Sequence, residues 1–175
     1  AQGHVVMDAG HRSAQETDIR GMVNDVHRAV AWIKANAGQY GVDPEKVVVM
    51  GGSSGAHIAL LAAYAPDDPR LKPDELLGVD TSVMAVVSYY GIPDMRSLYL
   101  RAASQEASAP ARPAPPRSER KEPGRFTNGM NRLMFGRTLT ARQSPPADPL
   151  DQMMRNLLGG LPDEVPEMTR LASPS

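Results

Sequence analysis

The chain has 175 residues, 41% of them hydrophobic and 22% charged, which suits one ordinary domain with a single core. Nineteen basic side chains face twenty acidic ones, and only 5% of residues are aromatic, so neither a basic nucleic-acid or membrane surface nor a base-stacking platform is expected. The absence of cysteine excludes disulfides, thiolate metal sites and a cysteine nucleophile.

Strand and helix signals alternate through the first hundred residues. Residues 3–8 (GHVVMD) form a short apolar run, which predicts a buried strand. A helix is predicted to begin near Thr17 or Asp18, with His27 on its solvated side. Its buried stripe is predicted from apolar residues at three- and four-residue steps, namely Val23, Val26, Val30, Ile33 and Ala37.

Two further strands are predicted on either side of a second helix. Residues 46–50 (KVVVM) are rich in β-branched side chains and predict a fully buried strand. Residues 56–65 have a helical composition, and residues 81–90 (TSVMAVVSYY) predict the next strand. Strands separated by helices indicate a parallel sheet in an α/β fold, with helices on both faces.

The composition changes after about Arg101. Residues 103–125 contain five prolines and hardly any large apolar side chain, so this segment is predicted to be a mobile insertion. Helices are predicted beyond it at 130–135, 150–158 and 164–171, with Gly159 and Gly160 ending the second. The predicted organisation is therefore a core at 1–102, the insertion at 103–125 and a helical segment at 126–175.

Residues 47–63 carry the most informative motif. Gly51, Ser53 and Gly55 satisfy G-x-S-x-G between an apolar strand and a helix. A serine in such a turn projects its hydroxyl above the sheet, and the small glycines allow the strand and helix to approach closely. The N–H of Ser54 then points toward the oxyanion that develops when the serine attacks a carbonyl. The pattern predicts a nucleophile elbow, with Ser53 as the catalytic nucleophile and Ser54 as an oxyanion-hole donor.

Two other glycine-rich motifs fit less well. The dinucleotide-binding turn of short-chain dehydrogenases needs a glycine where this chain has His57, and no Tyr-x-x-x-Lys pair follows. A phosphate-binding P-loop needs a lysine after the glycines, which is missing here. A glycine turn that merely joins strand and helix stays open as the structural alternative.

A family resemblance extends well beyond the motif. Residues 25–66, which include the elbow, resemble the bacterial acetyl-esterase and hormone-sensitive-lipase-like branch of the α/β hydrolases. Residues 81–95 resemble that family's next strand and loop, and residues 157–174 resemble its segment before the strand leading to the catalytic acid. The resemblance implies a carboxylic-ester hydrolase that forms an acyl-serine intermediate on Ser53 and acts on a small-molecule ester. It implies no cofactor and no metal, and a role for His57 in supporting the elbow helix.

The remaining catalytic groups are not found in the sequence. In this fold the acid and the histidine follow the serine, but the four histidines are His4, His11, His27 and His57, and none lies after the elbow helix. The late carboxylates are interpreted as helix-start or solvated groups: Asp148, Asp151, Asp163 and Glu164. The chain is therefore expected to be an interior piece of an esterase or a decayed one, incomplete at both ends and inactive alone.

Two alternatives to the esterase stay open: a catalytically dead binding or scaffold domain, and a serine peptidase of the same fold. No apolar run reaches the ~18 residues that a membrane span requires, and a cytoplasmic location is the default. The resemblance also implies that one strand is missing between residues 3–8 and 46–50. We therefore expect homo-oligomers through exposed sheet edges, unless these two segments pair directly.

Overall fold

A computed structural model of the chain describes residues 3–108 and 149–173, with the side chains of 106–108 and 149 excluded. The described residues divide into two compact units. The first comprises residues 3–12, 19–94 and 171–173, and the second comprises residues 13–18, 95–108 and 149–170. The predicted helix at 130–135, Asp148 and most of the predicted insertion lie outside the described residues.

The first unit is an α/β structure, as predicted. Its elements are α1 (Ile19–Ala35), α2 (Ala37–Tyr40), β1 (Val48–Gly52), α3 (Ser54–Tyr64) and β2 (Ala85–Tyr89), with single 3-10 turns at Pro44–Lys46 and Asp74–Leu76. The two strands pair in parallel, with Val48 opposite Ala85 and Gly52 opposite Tyr89. α3 packs on both strands and α1 packs on α3, so the core lies between one face of the sheet and these two helices.

Strand β1 was predicted to be fully buried, but it is not. Its side chains alternate between half-buried and exposed positions, and Val48 and Met50 are exposed. The same face of β2 exposes Val87 and Tyr89, because α3 covers only the opposite face of the sheet. Helices on both faces are thus not seen in the described part of this unit.

Residues 3–8 do not form the predicted strand. Residues 3–10 have no regular secondary structure, and Val6 is 88% exposed. A strand needs a partner for its backbone hydrogen bonds, and within the described residues β1 pairs only with β2. The direct pairing with residues 46–50 does not occur. After this irregular segment, Arg12 attaches the chain to α1, because its guanidinium donates hydrogen bonds of 2.8 and 3.0 Å to Asp25.

The predicted strand at 81–90 is shorter in the structure. β2 begins at Ala85, although the N–H of Met84 already donates to the Val47 carbonyl. The preceding Thr81 is buried, and its hydroxyl contacts His27 at 3.0 Å and the Pro66 carbonyl at 3.3 Å. These contacts hold Thr81 away from the sheet.

The second unit contains α4 (Met95–Ser108), α5 (Pro149–Leu158) and most of α6 (Pro166–Leu171). α4 continues through Ser108, so the first six residues of the predicted insertion are helical. α5 has the predicted extent, and Gly159 ends it with a φ of 84°, a conformation that favours glycine. The three-part domain division stays a prediction.

Candidate active site

Ser53 occupies the turn between β1 and α3, as the motif predicts. It is the single residue between Gly52, which ends the strand, and Ser54, which begins the helix. Its backbone is in a strained conformation for a non-glycine residue, with φ 53° and ψ −120°. The side chain is exposed at the carboxyl end of the strand, so the predicted strand–turn–helix geometry is confirmed.

The two elbow glycines differ in their surroundings. A Cβ on Gly51 would lie 2.5 Å from the Gly55 carbonyl carbon and 2.7 Å from the Ala56 nitrogen, so only glycine fits there. A Cβ on Gly55 would meet no atom of the described residues within 4 Å. The prediction that Gly55 is needed for close packing of strand and helix is therefore wrong. Gly55 instead lines a cavity beside β1.

This cavity measures about 640 Å³ and lies within the first unit. Its lining includes residues 4–11, residues 46–50 of the β1 segment, and apolar side chains of α1 and α3 such as Val30 and Ile58. Residues 4–11, which have no regular secondary structure, thus lie on one side, and the edge of β1 that does not pair with β2 lies on the other. The cavity separates residues 3–8 from residues 46–50, and the missing strand between them stays a prediction.

Ser54 is the first residue of α3, an eleven-residue helix. The N–H groups of the first helical turn have no acceptor within their own helix, and the helix dipole makes this end positive. Ser54 is therefore placed where an N–H can stabilise negative charge next to Ser53. Its role as an oxyanion donor stays a prediction.

The neighbouring strand holds the elbow from the other side. The N–H of Ser53 donates to the Tyr89 carbonyl at 3.0 Å, which extends the parallel ladder past Gly52. Tyr90 follows directly and also has a positive φ, 47°. Tyr90 was not among the predicted site residues, although its position at the end of an apolar strand run places it at the carboxyl edge of a parallel sheet, where ligands usually bind.

His57 supports the elbow helix, as the resemblance implies. The ring is buried, and its Nδ1–H donates to the Ile92 carbonyl at 2.7 Å. Its Nε2 is also buried and has no hydrogen-bond partner in the described structure. Burial lowers the pKa of His57, so the ring is neutral at pH 7. His57 therefore joins α3 to the loop after β2. Its backbone N–H donates to the Ser53 carbonyl at 3.0 Å, but its ring makes no hydrogen bond to the Ser53 side chain.

His27 is not the solvated residue that was predicted. It is fully buried, and its Nδ1 lies 3.0 Å from Oγ1 of Thr81. Burial is the main cause that lowers its pKa to about 4, and the Lys72 ammonium acts in the same direction. The spacing in α1 contains the missed signal, because His27 lies four residues after Val23 and three before Val30, on the buried stripe.

The three late carboxylates that the structure describes have partners within the second unit. Asp151, in the first turn of α5, accepts from the Tyr99 hydroxyl at 2.9 Å. Asp163 and Glu164 are exposed and pair with Arg96 and Arg155 at 3.1 and 2.9 Å. The interpretation as helix-start or solvated groups is confirmed for these three residues, whereas Asp148 lies outside the described residues. No catalytic acid is identified among the described residues, and none of their His, Asp and Glu side chains form a group suited to a metal ion.

The chain is similar to several known esterases. Esterase LipQ of Mycobacterium tuberculosis is 46% identical over 71 residues, which are 41% of this chain and 17% of LipQ. Esterase LipC of the same organism is 30% identical over 158 residues, which are 89% of this chain and 34% of LipC. The apo form of Thermogutta terrifontis esterase 2 superposes with a TM-score of 0.43 at 27% identity, covering 47% of this chain and 31% of that one.

The chain thus spans only 17% to 34% of the length of these two mycobacterial relatives. None of the described helices is long and apolar enough to cross a membrane. The sequence profile of the BD-FAE family matches residues 1–115, well over half of the chain. The chain belongs to the BD-FAE family, and its resemblance to the α/β-hydrolase esterases of the hormone-sensitive-lipase-like type is confirmed.

Proposed function

We propose that this chain supplies the nucleophile of a carboxylic-ester hydrolase that acts on small-molecule esters, with Ser53 forming the acyl-enzyme. The single observation that carries the proposal is the strained, exposed position of Ser53 between parallel β1 and α3. Strain of this kind is retained where the surrounding structure holds it in place, and it is common at active sites. The similarity to LipQ and LipC, which are both named as esterases, supports the same chemistry.

The reaction follows from the groups around Ser53. The Oγ attacks the ester carbonyl while a base accepts the hydroxyl proton, and the resulting oxyanion lies near the Ser54 N–H. The alcohol then leaves with that proton, and water hydrolyses the acyl-serine. The base and its carboxylate are not assigned to residues of this chain, because both buried histidines are held elsewhere, His57 by Ile92 and His27 by Thr81. No cofactor is needed.

The test uses the product of the natural gene and p-nitrophenyl esters of short acids. We expect hydrolysis that Ser53→Ala abolishes, together with an acyl group that mass spectrometry locates on Ser53. Ser54→Ala is the matched control, since it keeps the backbone N–H and should retain most of the activity. Hydrolysis that is unchanged in Ser53→Ala would contradict the proposal. Absence of any acylation would favour a scaffold domain, and cleavage of peptides in place of esters would favour a peptidase.

We also propose that the 175-residue chain self-associates through its exposed sheet edges. In the described structure β1 has one edge paired with β2 and the other facing the cavity. An isolated two-stranded sheet is marginal, and an open edge with apolar side chains pairs readily with another chain. Met50, 61% exposed, and the neighbouring Val48 add apolar surface that a second copy would cover.

A further inference from the structure

Two strained residues lie side by side at the carboxyl end of the sheet. Gly52 and Tyr89 are the last register pair of β1 and β2, so the next residues, Ser53 and Tyr90, continue the two strands next to each other. These are the two non-glycine residues with positive φ in the described part of the chain, at 53° and 47°. A left-handed tyrosine is uncommon, and such residues concentrate at active sites and ligand contacts.

The tyrosine side chain leans toward the elbow. Its hydroxyl lies 3.1 Å, and its ring carbon Cζ 3.5 Å, from the position where a Cβ on Gly52 would be. The far end of the ring therefore lies over the residue that precedes Ser53, and the glycine at that position provides the space. Tyr90 is nevertheless 81% exposed, so the ring is not held there as part of the core.

Resting on the proposed function, we propose that Tyr90 is a specificity-determining residue of the Ser53 site. Its ring bounds the space on the Gly52 side of Ser53, so that small groups of an ester substrate fit there and branched or cyclic groups do not. The strained φ directs the ring across the strand end. The proposed substrate class is thus esters with a compact group on this side of the carbonyl.

Symmetrical dialkyl fluorophosphates test this without knowing which substrate group binds on the Gly52 side. Ser53 Oγ attacks phosphorus, the P–F bond breaks, and the serine proton passes to the base, so both alkoxy groups stay on the adduct. The measured quantity is the ratio of labelling rate constants for the dimethyl and dicyclohexyl compounds, determined on the natural gene product. A ratio is insensitive to a general loss of serine reactivity.

We expect wild type to favour the dimethyl compound and Tyr90→Ala to lower the ratio at least about fivefold, a size typical for removing one steric limit. Tyr90→Phe keeps the ring and should keep the ratio. Tyr90→Gly removes the ring while its backbone tolerates positive φ, so it should match Tyr90→Ala even if alanine destabilises the fold. A ratio within twofold of wild type in both truncated variants overturns the inference alone. Failure of both compounds to label Ser53 overturns the proposed function as well.

Discussion

Nδ1 of His27 and Oγ1 of Thr81 lie 3.0 Å apart in the interior, and this contact links α1 to the segment before β2. Burial, reinforced by the Lys72 ammonium, lowers the pKa of His27 from 6.5 to about 4. Since the folded-state pKa is below the unfolded one, protonation favours unfolding. The free energy of unfolding is therefore fully retained above pH 6.5 and falls as the pH drops toward 4, by on the order of 3 kcal/mol.

Urea unfolding of the chain at pH 7 and at about pH 4.5 measures this loss. His27→Gln should reduce the pH dependence but not remove it, because burial also lowers the pKa of His57. His4→Gln, which makes the same change at an exposed histidine, is the matched control. An identical pH dependence in wild type and His27→Gln would show that His27 does not titrate in this way.

The elbow glycines should respond differently to alanine. Gly51→Ala places a methyl group 2.5 Å from backbone atoms of Gly55, and neither segment can move without disturbing Ser53. We expect a loss of unfolding free energy on the order of 2 kcal/mol or more. Gly55→Ala, the matched control, adds a methyl group to open space in a helix and should be neutral or slightly stabilising. Equal effects in urea unfolding would contradict this contrast.

The 175-residue chain on its own should hydrolyse p-nitrophenyl acetate no faster than its Ser53→Ala variant. A serine hydroxyl needs a base, and the His57 ring is directed to the Ile92 carbonyl with its other nitrogen buried. Spectrophotometric release of p-nitrophenol from purified protein is the measurement. Turnover that depends on Ser53 would mean that one of the four histidines, or a partner chain, acts as the base.

Self-association should depend on the exposed residues of β1. Sedimentation velocity of the 175-residue chain is expected to show species larger than the monomer whose proportion rises with concentration. Met50→Lys places a charge on this strand and should shift the chain toward the monomer. Leu77→Lys also changes an exposed apolar residue, but outside both strands, and should have little effect. A monomeric wild type at all concentrations would refute edge pairing.

The features that the sequence predicted correctly are those determined by residues close together in the chain. The glycines around Ser53 predicted the elbow, and the apolar repeat at three- and four-residue steps predicted α1. Gly159 predicted the end of α5. Each of these signals is a pattern of residues that are close together in the sequence, so the residue types alone predict the structure there.

The errors arose where a distant partner decides the outcome. Residues 3–8 have the composition of a strand but no pairing partner among the described residues. His27 is polar, yet Thr81, far along the chain, makes its burial acceptable. Tyr90 was missed because its nearness to Gly52 depends on the pairing of β1 with β2. The spacing in α1 indicates that His27 is buried, but the identity of its partner Thr81 and the approach of Tyr90 to Gly52 are not visible in a short window of sequence.

The most direct test of the central claim is covalent labelling of the natural gene product with a fluorophosphonate, followed by peptide mapping. The position of Ser53 at the strained elbow predicts one modified site, Ser53, and loss of the label in Ser53→Ala. Ser54→Ala, which keeps the backbone N–H, should still be labelled. Labelling of a different residue, or equal labelling of wild type and Ser53→Ala, would show that Ser53 is not the nucleophile.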